Sequence, residues 1–479
     1  MTSRLYIIIC LFMASFSFAV DAQSQQPAKL PPSSPPSPSQ PVPDSPPVKT
    51  DTAAQDPVSP QSRSLPAQAP VPPGTSLSRR QAEALALKNN PQITVAKLRA
   101  LEAGQYVREQ RSALMPNAYL SLTAADASNN ARIAAGGLNN PIIFPRAAAG
   151  ATVSQLITDF GRTTNLVSGA QSSAKAEEEN SAATIAQIVL TVDQIFYNAL
   201  ETRALLRVAQ QTIDARQLVV NRISALTQAK LKSDLDLSFA NVDLARAKLL
   251  QLEAKNNYAA SLATLSAILG YPDEQPFELV ESDSTPEQPD ADVNPLIMQA
   301  LNQRPEVRAL QDQVTSAEKF GHAEHDLWRP TISALGSVGA VPVRNDSLPS
   351  WYGAVGVNVN IPVFNGFLYN ARAKNADLQT EVVRQRLLDV RNNIARDVRT
   401  AWQQSQQAFE RLSVTQQLRD QANLALNLAQ SRYNLGLGSI VELGQAELQK
   451  TEADIADTDA QYQYRLTKLV VAYTIGAPK

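Results

Sequence analysis

The 479-residue chain reads as a mainly helical protein with a β-barrel part, built from two tandem repeats. Three observations predict this. The chain repeats itself once over nearly its whole length. Each copy holds a proline-free stretch rich in Ala and Gln, 162–226 and 367–432, that runs too long for a globular helix. In the second copy Val355, Val357, Val359 and Ile361 alternate with Ala354, Gly356, Asn358 and Asn360, the period of a strand with one apolar and one polar face.

Taken in order, residues 1–22 read as a secretory signal peptide. Arg4 is the charged start, Leu5 to Ala19 the apolar stretch, and Val20-Asp21-Ala22 the small-residue cleavage site. Cys10, the one cysteine, lies inside the apolar stretch, so after cleavage neither disulfides nor thiolate chemistry are available. Past the signal no run of about 18 apolar residues occurs, so a membrane crossing has to be made by strands.

Residues 23–75 hold 16 of the 31 prolines among Ser, Gln, Ala and Val, the composition of an extended linker without a core. The first repeat spans 76–270 and the second 295–476. Asn90-Pro91-Gln92-Ile93 aligns with Arg304-Pro305-Glu306-Val307, and Met115-Pro116 with Arg329-Pro330, at an offset of 214 residues. Ser233-Asp234-Leu235-Asp236-Leu237 aligns with Ser439-Ile440-Val441-Glu442-Leu443, and Leu269-Gly270 with Ile475-Gly476, at 206. The difference places a variable loop between Pro116 and Gly161. The joint, 271–294, carries eight acidic residues, four prolines and no Lys or Arg, and reads as a solvated acidic linker.

Helical spacing marks Ile185, Ile188, Val189, Val192, Ile195, Phe196 and Ala199 in the first copy, and Tyr462, Leu466, Leu469, Val470 and Tyr473 in the second. Strands are predicted at 119–125, 149–157, 331–339 and 355–361. Small barrels need about eight strands, so four must be pooled with those of other subunits if they cross a membrane.

The order helix, strand, loop, strand, long helix, turn, helix, repeated once, resembles the TolC family of outer-membrane efflux and secretion channels. Arg304-Pro305-Glu306-Val307, Ile361-Pro362-Val363-Phe364-Asn365-Gly366, Tyr433-Asn434-Leu435-Gly436 with Ser439-Ile440-Val441-Glu442, and Ala472-Tyr473-Thr474-Ile475-Gly476 carry the resemblance. It implies a homotrimer in the outer membrane. Each subunit would give four strands to a 12-stranded β-barrel standing on an α-helical barrel in the periplasm, with a membrane-fusion adaptor and an inner-membrane transporter as partners. No Gly-Lys phosphate loop is present, so energy would come from the transporter.

The same resemblance puts Asp236 and Glu442 at the periplasmic tip, where a trimer would gather six carboxylates that select cations or respond to opening. The competing reading is two acids favoured by helix dipoles. Related channels often carry a second acid three positions on and a base in the turn, where this sequence has Gln445 and Gly438, so a salt-bridged lock on those two positions is not expected. Lys230, Leu231 and Lys232 in the first turn, with Tyr433, Leu435, Gly436 and Gly438 in the second, are the candidates for adaptor docking; the glycines also suit a helix-ending turn. His322 and His325 share a helix face but lack a third ligand, and no metal is assigned. Trp328, Trp351 and Tyr352 flank strands as candidate membrane-interface residues, whereas Phe196 and Trp402 sit at helical packing positions.

A pI near 5.9 and a net charge of −2 argue against nucleic acid. No Ser/His/Asp set, metal cluster or phosphate loop suggests an enzyme or a cofactor. The functional expectation is therefore the exit duct of a tripartite small-molecule efflux system; a type I protein-secretion duct would use the same architecture. A passive porin or a structural envelope tether would need no helices about 100 Å long.

Overall fold

Alanine-rich helices and small-residue strands leave little side chain to build one thick core, and the computed structural model is correspondingly long-limbed. It describes residues 75–125, 146–281, 287–340 and 350–476. The predicted signal peptide, most of the Pro-rich segment and much of the region predicted to hold the variable loop lie outside the described residues.

The elements run β1 (Ser76–Ser78), α1 (Arg79–Asn89), α2 (Pro91–Ser112), β2 (Asn117–Ala125), β3 (Arg146–Thr158), α3 (Arg162–Gln228), α4 (Asp234–Ile268), β4 (Glu278–Val280), α5 (Asn294–Gln303), α6 (Pro305–His325), β5 (Thr331–Ala340), β6 (Trp351–Asn360), α7 (Leu368–Asn434) and α8 (Ile440–Thr474). Proline opens α2 and α6 at the first helical position, where its missing N–H costs nothing. The long helices α3 and α7 are each 67 residues, about 100 Å at 1.5 Å per residue, and their partners α4 and α8 are each 35.

The four long strands form one antiparallel sheet in the order β2-β3-β5-β6. Its register sorts side chains onto two faces. Rows such as Leu120–Ala151–Val338–Gly353 and Ala118–Val153–Gly336–Val355 lie on one face. The rows between them, Tyr119–Thr152–Ser337–Ala354 and Asn117–Ser154–Leu335–Gly356, lie on the other. One face is thus largely apolar, with Gln155 its polar exception in the row Gln155–Ala334–Val357, and the other small and largely polar. Tyr352 crosses Gly339 and Gly150, where an added Cβ would stand 2.6 and 2.7 Å from its ring hydroxyl, so these glycines make room for the aromatic. Val355 is 93% exposed, and among the described residues β2 and β6 each have one edge with no strand beside it.

The sheet passes into helix through two left-handed elbows, Phe160-Gly161 before α3 and Gly366-Phe367 before α7. At the first, Asp159 accepts hydrogen bonds from the Thr163 N–H and hydroxyl, and Arg329 donates to the Phe160 carbonyl.

Packing is spread over three clusters. One surrounds the fully buried Phe196 with Leu77, Ile93, Val192, Leu265 and Tyr462; one joins Leu296, Ile297, Val307, Ile394 and Val398; the third lies near the α3–α4 and α7–α8 turns. The joint predicted to be a solvated linker is packed over part of its described length. Tyr271, Gln275, Phe277 and Leu279 are buried, β4 pairs in parallel with β1, and Glu281 engages Arg465 and the Tyr462 hydroxyl. Glu287 pairs with Lys468 at 2.6 Å, and the Asp290 carbonyl accepts from the Trp402 indole at 2.7 Å. Composition counted the acids; the fold pairs two of them, Glu281 and Glu287, with cations of α8, and with the buried apolar residues this makes the segment a strap.

Candidate gate and docking tip

Both helical hairpins turn with the same backbone device. In the first, Leu231 N–H returns to the Leu226 carbonyl across Lys230, which adopts φ 58°; in the second, Leu437 N–H returns to the Arg432 carbonyl across Gly436, at φ 77°. The left-handed residue lets the last carbonyls of α3 and α7 find partners before the chain reverses. Gly436 adopts it freely, whereas Lys230 bears a cost of about 1 kcal/mol.

Serines 233 and 439 then cap the following helices. Ser233 Oγ accepts from Asp236 N–H at 3.2 Å, and the Asp236 carboxylate accepts in return from Ser233 N–H at 3.4 Å. Ser439 Oγ accepts from Glu442 N–H at 3.1 Å, but the Glu442 carboxylate turns away, to Arg432 Nε at 3.0 Å. The two equivalent acids therefore sit in different bonds: Asp236 closes its own cap, and Glu442 bridges the α7–α8 turn.

Arg432 is the residue that sequence reasoning missed. An ion pair was not expected because Gly438 and Gln445 stand where related channels carry charge, yet the base comes from the last turn of α7. Gly438 accommodates it, since a Cβ there would lie 3.1 Å from the Glu442 carboxylate and 3.2 Å from the Arg432 side chain. Arg432 also donates to the Leu437 carbonyl at 3.2 Å. A base two residues before the end of the preceding helix is within reach of an N-terminal acid on the next, a signal visible only once the turn geometry is known. Gln445 is exposed in a groove beside Arg216, Asp243 and Gly444.

The docking candidates divide by exposure. Leu231 and Leu435 stand well out of the turns, with Leu435 74% exposed and Leu437 beside it likewise; Lys230 and Gly436 are exposed too. Tyr433 is not available to a partner in this state. It is 5% exposed, packed with Val220, Ile223, Leu244 and Leu443, while the Lys232 ammonium stands 4.2 Å above its ring. Its hydroxyl has no hydrogen-bond partner, and burial pushes its pKa up, aided by Asp236.

Farther up the helices one charge pair ties the two hairpins together and another staples α7 to α8. Arg216 of α3 pairs with Glu447 of α8 in a nearly dry setting, and burial pulls the Arg216 pKa down. Arg419 of α7 holds Asp457 of α8 at 2.5 Å. His325 faces Asp377 at 3.0 Å and His322 lies exposed; among the described residues no three potential metal ligands cluster.

The sequence profile described as "Outer membrane efflux protein" matches residues 84–271 and 296–476. The outer membrane protein TolC of Salmonella enteritidis is 22% identical over 414 residues, covering 81% of this chain and 79% of that one. Protein CyaE of Bordetella pertussis is 22% identical over 390 residues, covering 79% and 80%. The fold superposes on the CmeC outer membrane channel of Campylobacter jejuni with a TM-score of 0.72 at 18% identity, covering 83% of this chain and 85% of that one.

Proposed function

We infer the function from one premise: this chain belongs to the outer membrane efflux protein family. Its role is that of a conduit, the outer-membrane exit duct of a tripartite small-molecule efflux system, and not that of an enzyme. The observation that carries the reading is the two-faced sheet mounted on helices of 67 residues. An apolar face suits lipid and a small polar face suits a water-filled lumen. Four strands with two unpaired edges cannot close on themselves, so three copies pool twelve, β6 of one subunit beside β2 of the next.

The helices then continue the lumen about 100 Å into the periplasm. The Arg432–Glu442 pair and Asp236 sit at its far end, where threefold symmetry multiplies each carboxylate into a ring that favours cations. Leu231, Leu435 and Leu437 offer an apolar rim to a membrane-fusion adaptor, which links the duct to an energised inner-membrane transporter.

Deleting the gene and measuring dye, antibiotic and metal-ion accumulation beside the secreted proteome tests this. Raised accumulation, restored by the gene but not by a tip variant such as Gly436→Trp, supports efflux. Loss of a few extracellular proteins with unchanged accumulation replaces it with the protein-secretion reading.

A further inference from the structure

Beneath the strap lies a cavity of about 500 Å³ that neither the sheet nor the tip accounts for. Helix α3 lines it with Leu190, Asp193 and Tyr197, α7 with Trp402, and α8 with Tyr464 and Tyr473. Strap residues 287–290 form the remaining wall and are pinned there. Trp402 and Gln406 donate to the Asp290 carbonyl at 2.7 and 3.0 Å, and the Tyr464 hydroxyl donates to the Glu287 carbonyl. Small-molecule sites run from about 300 to 1,000 Å³ and are mostly apolar and aromatic with a few placed polar groups, which describes this one.

Charge on the wall is unbalanced at one point. Arg465 and Lys468 are already held, by Glu281 and Glu287. Arg79 is divided: its Nη1 stands 2.7 Å from Glu83 Oε1 and 2.9 Å from Asp193 Oδ2, one cation for two carboxyls. Asp193 is 4% exposed, and its other oxygen, Oδ1, accepts no hydrogen bond. A buried carboxyl so placed calls for a further positive charge.

We propose that this cavity is a binding site for a small organic cation, an ammonium carried on an aromatic body, with the ammonium paired to Asp193. The body lies among Tyr197, Trp402, Tyr464 and Leu190, where ring faces attract a cation and exclude water. The ammonium supplies the charge that Arg79 cannot give to two carboxyls at once. An anion is disfavoured, since it brings a third negative group beside Glu83 and Asp193. The ligand thereby joins α3 of the first repeat to α7 and α8 of the second.

A proton competes for the same place. Asp193 is faced by Arg79 and Glu83 of α1 and by Tyr197 one turn along its own helix. Across the cavity stand Arg465, Lys468, Tyr464 and Tyr473 of α8, with Glu287 and Asp290 of the strap. Burial, opposed by Arg79 and aided by Glu83, holds Asp193 up to about 7. Below that pH the proton neutralises Asp193; above it the proton leaves to water and the cation takes its place, so affinity rises with pH through about 7.

The site stands on helix and strap packing alone and does not depend on the conduit reading. Calorimetric titration of the full-length assembly with phenethylammonium, and with 2-phenylethanol as its uncharged counterpart, tests it. The ammonium is expected to bind once per chain at pH 8 and about tenfold more weakly at pH 6, where only about a tenth of Asp193 is ionised. The alcohol is expected to bind at least tenfold more weakly than the ammonium at pH 8. Asp193→Asn, which keeps the shape, is expected to lose at least tenfold at pH 8 together with the pH dependence. Ala186→Phe, which fills the cavity from α3 and leaves the charges in place, is expected to abolish binding.

No binding of millimolar ammonium to the wild type overturns the proposal. Equal affinity for ammonium and alcohol does so too, and that comparison decides even if a variant fails to assemble. Wild-type affinity in Asp193→Asn or in Ala186→Phe likewise overturns it. Binding in a protein that conducts in no bilayer upholds the site and refutes the conduit.

Discussion

Placing a cation at Val355 tests the membrane assignment at its strongest point. Val355 is centred in β6, 93% exposed, and lies in the row Ala118–Val153–Gly336 on the largely apolar face. If that face meets lipid, Val355→Arg brings a charge toward the hydrocarbon midplane and costs about 2–4 kcal/mol per chain. At about 1.4 kcal/mol per tenfold, the folding equilibrium falls by roughly 30- to 1,000-fold. Ala354→Arg, one residue earlier and on the other face beside Ser337 and Thr152, enters the lumen and should cost under about 1 kcal/mol. The assay is urea titration of folding into lipid vesicles, followed by protease protection of the strands. Equal cost for the two variants, or a greater cost for Ala354→Arg, would refute the assignment of faces.

Four further outcomes are expected. Tyr433→Phe should leave the urea midpoint unchanged, because the hydroxyl is unpartnered, while Tyr433→Ala should cost about 3–5 kcal/mol as a buried aromatic truncation. Lys230→Gly should raise stability by about 1 kcal/mol by relieving a left-handed backbone, measured by thermal unfolding. Arg432→Ala should change stability by less than about 1 kcal/mol, since the pair with Glu442 is exposed, yet it and the double variant Asp236→Ala/Glu442→Ala should alter single-channel conductance or cation preference; unchanged traces would remove the tip ring. Asp193 is pushed up to about 7, first by burial, with Arg79 opposing and Glu83 adding. Its folded value lies above the free one, so stability should fall as pH rises from about 4 toward 7, and Asp193→Asn should flatten that fall in urea midpoints at pH 5 and 8.

How much was legible depended on whether a feature is local. The long helices show in the proline-free stretches 162–226 and 367–432, which the structure extends by only a few residues, because helical period and absence of breakers are properties of the strand of sequence itself. The β6 strand was read from Val355, Val357 and Val359 for the same reason, and the structure finds it at Trp351–Asn360. The strap at 271–281 was misjudged because acidity is a count, whereas burial depends on which cations stand opposite. Tyr433 was read as exposed because turn residues usually are; it is buried because α3 and α4 lie against it.

The sequence by itself determined the order of the main helices and strands, the two-faced strand at 355–361 and the roughly 100 Å reach of the long helices, since each is encoded in spacing within one segment. Only the tertiary structure decided the Arg432–Glu442 bridge, the capping role of Asp236, and the pair of Arg79 with the buried Asp193. Those partners lie between 3 and 114 residues apart, and charges find each other through the angle of a turn or the packing of two helices, neither of which any single stretch of residues contains.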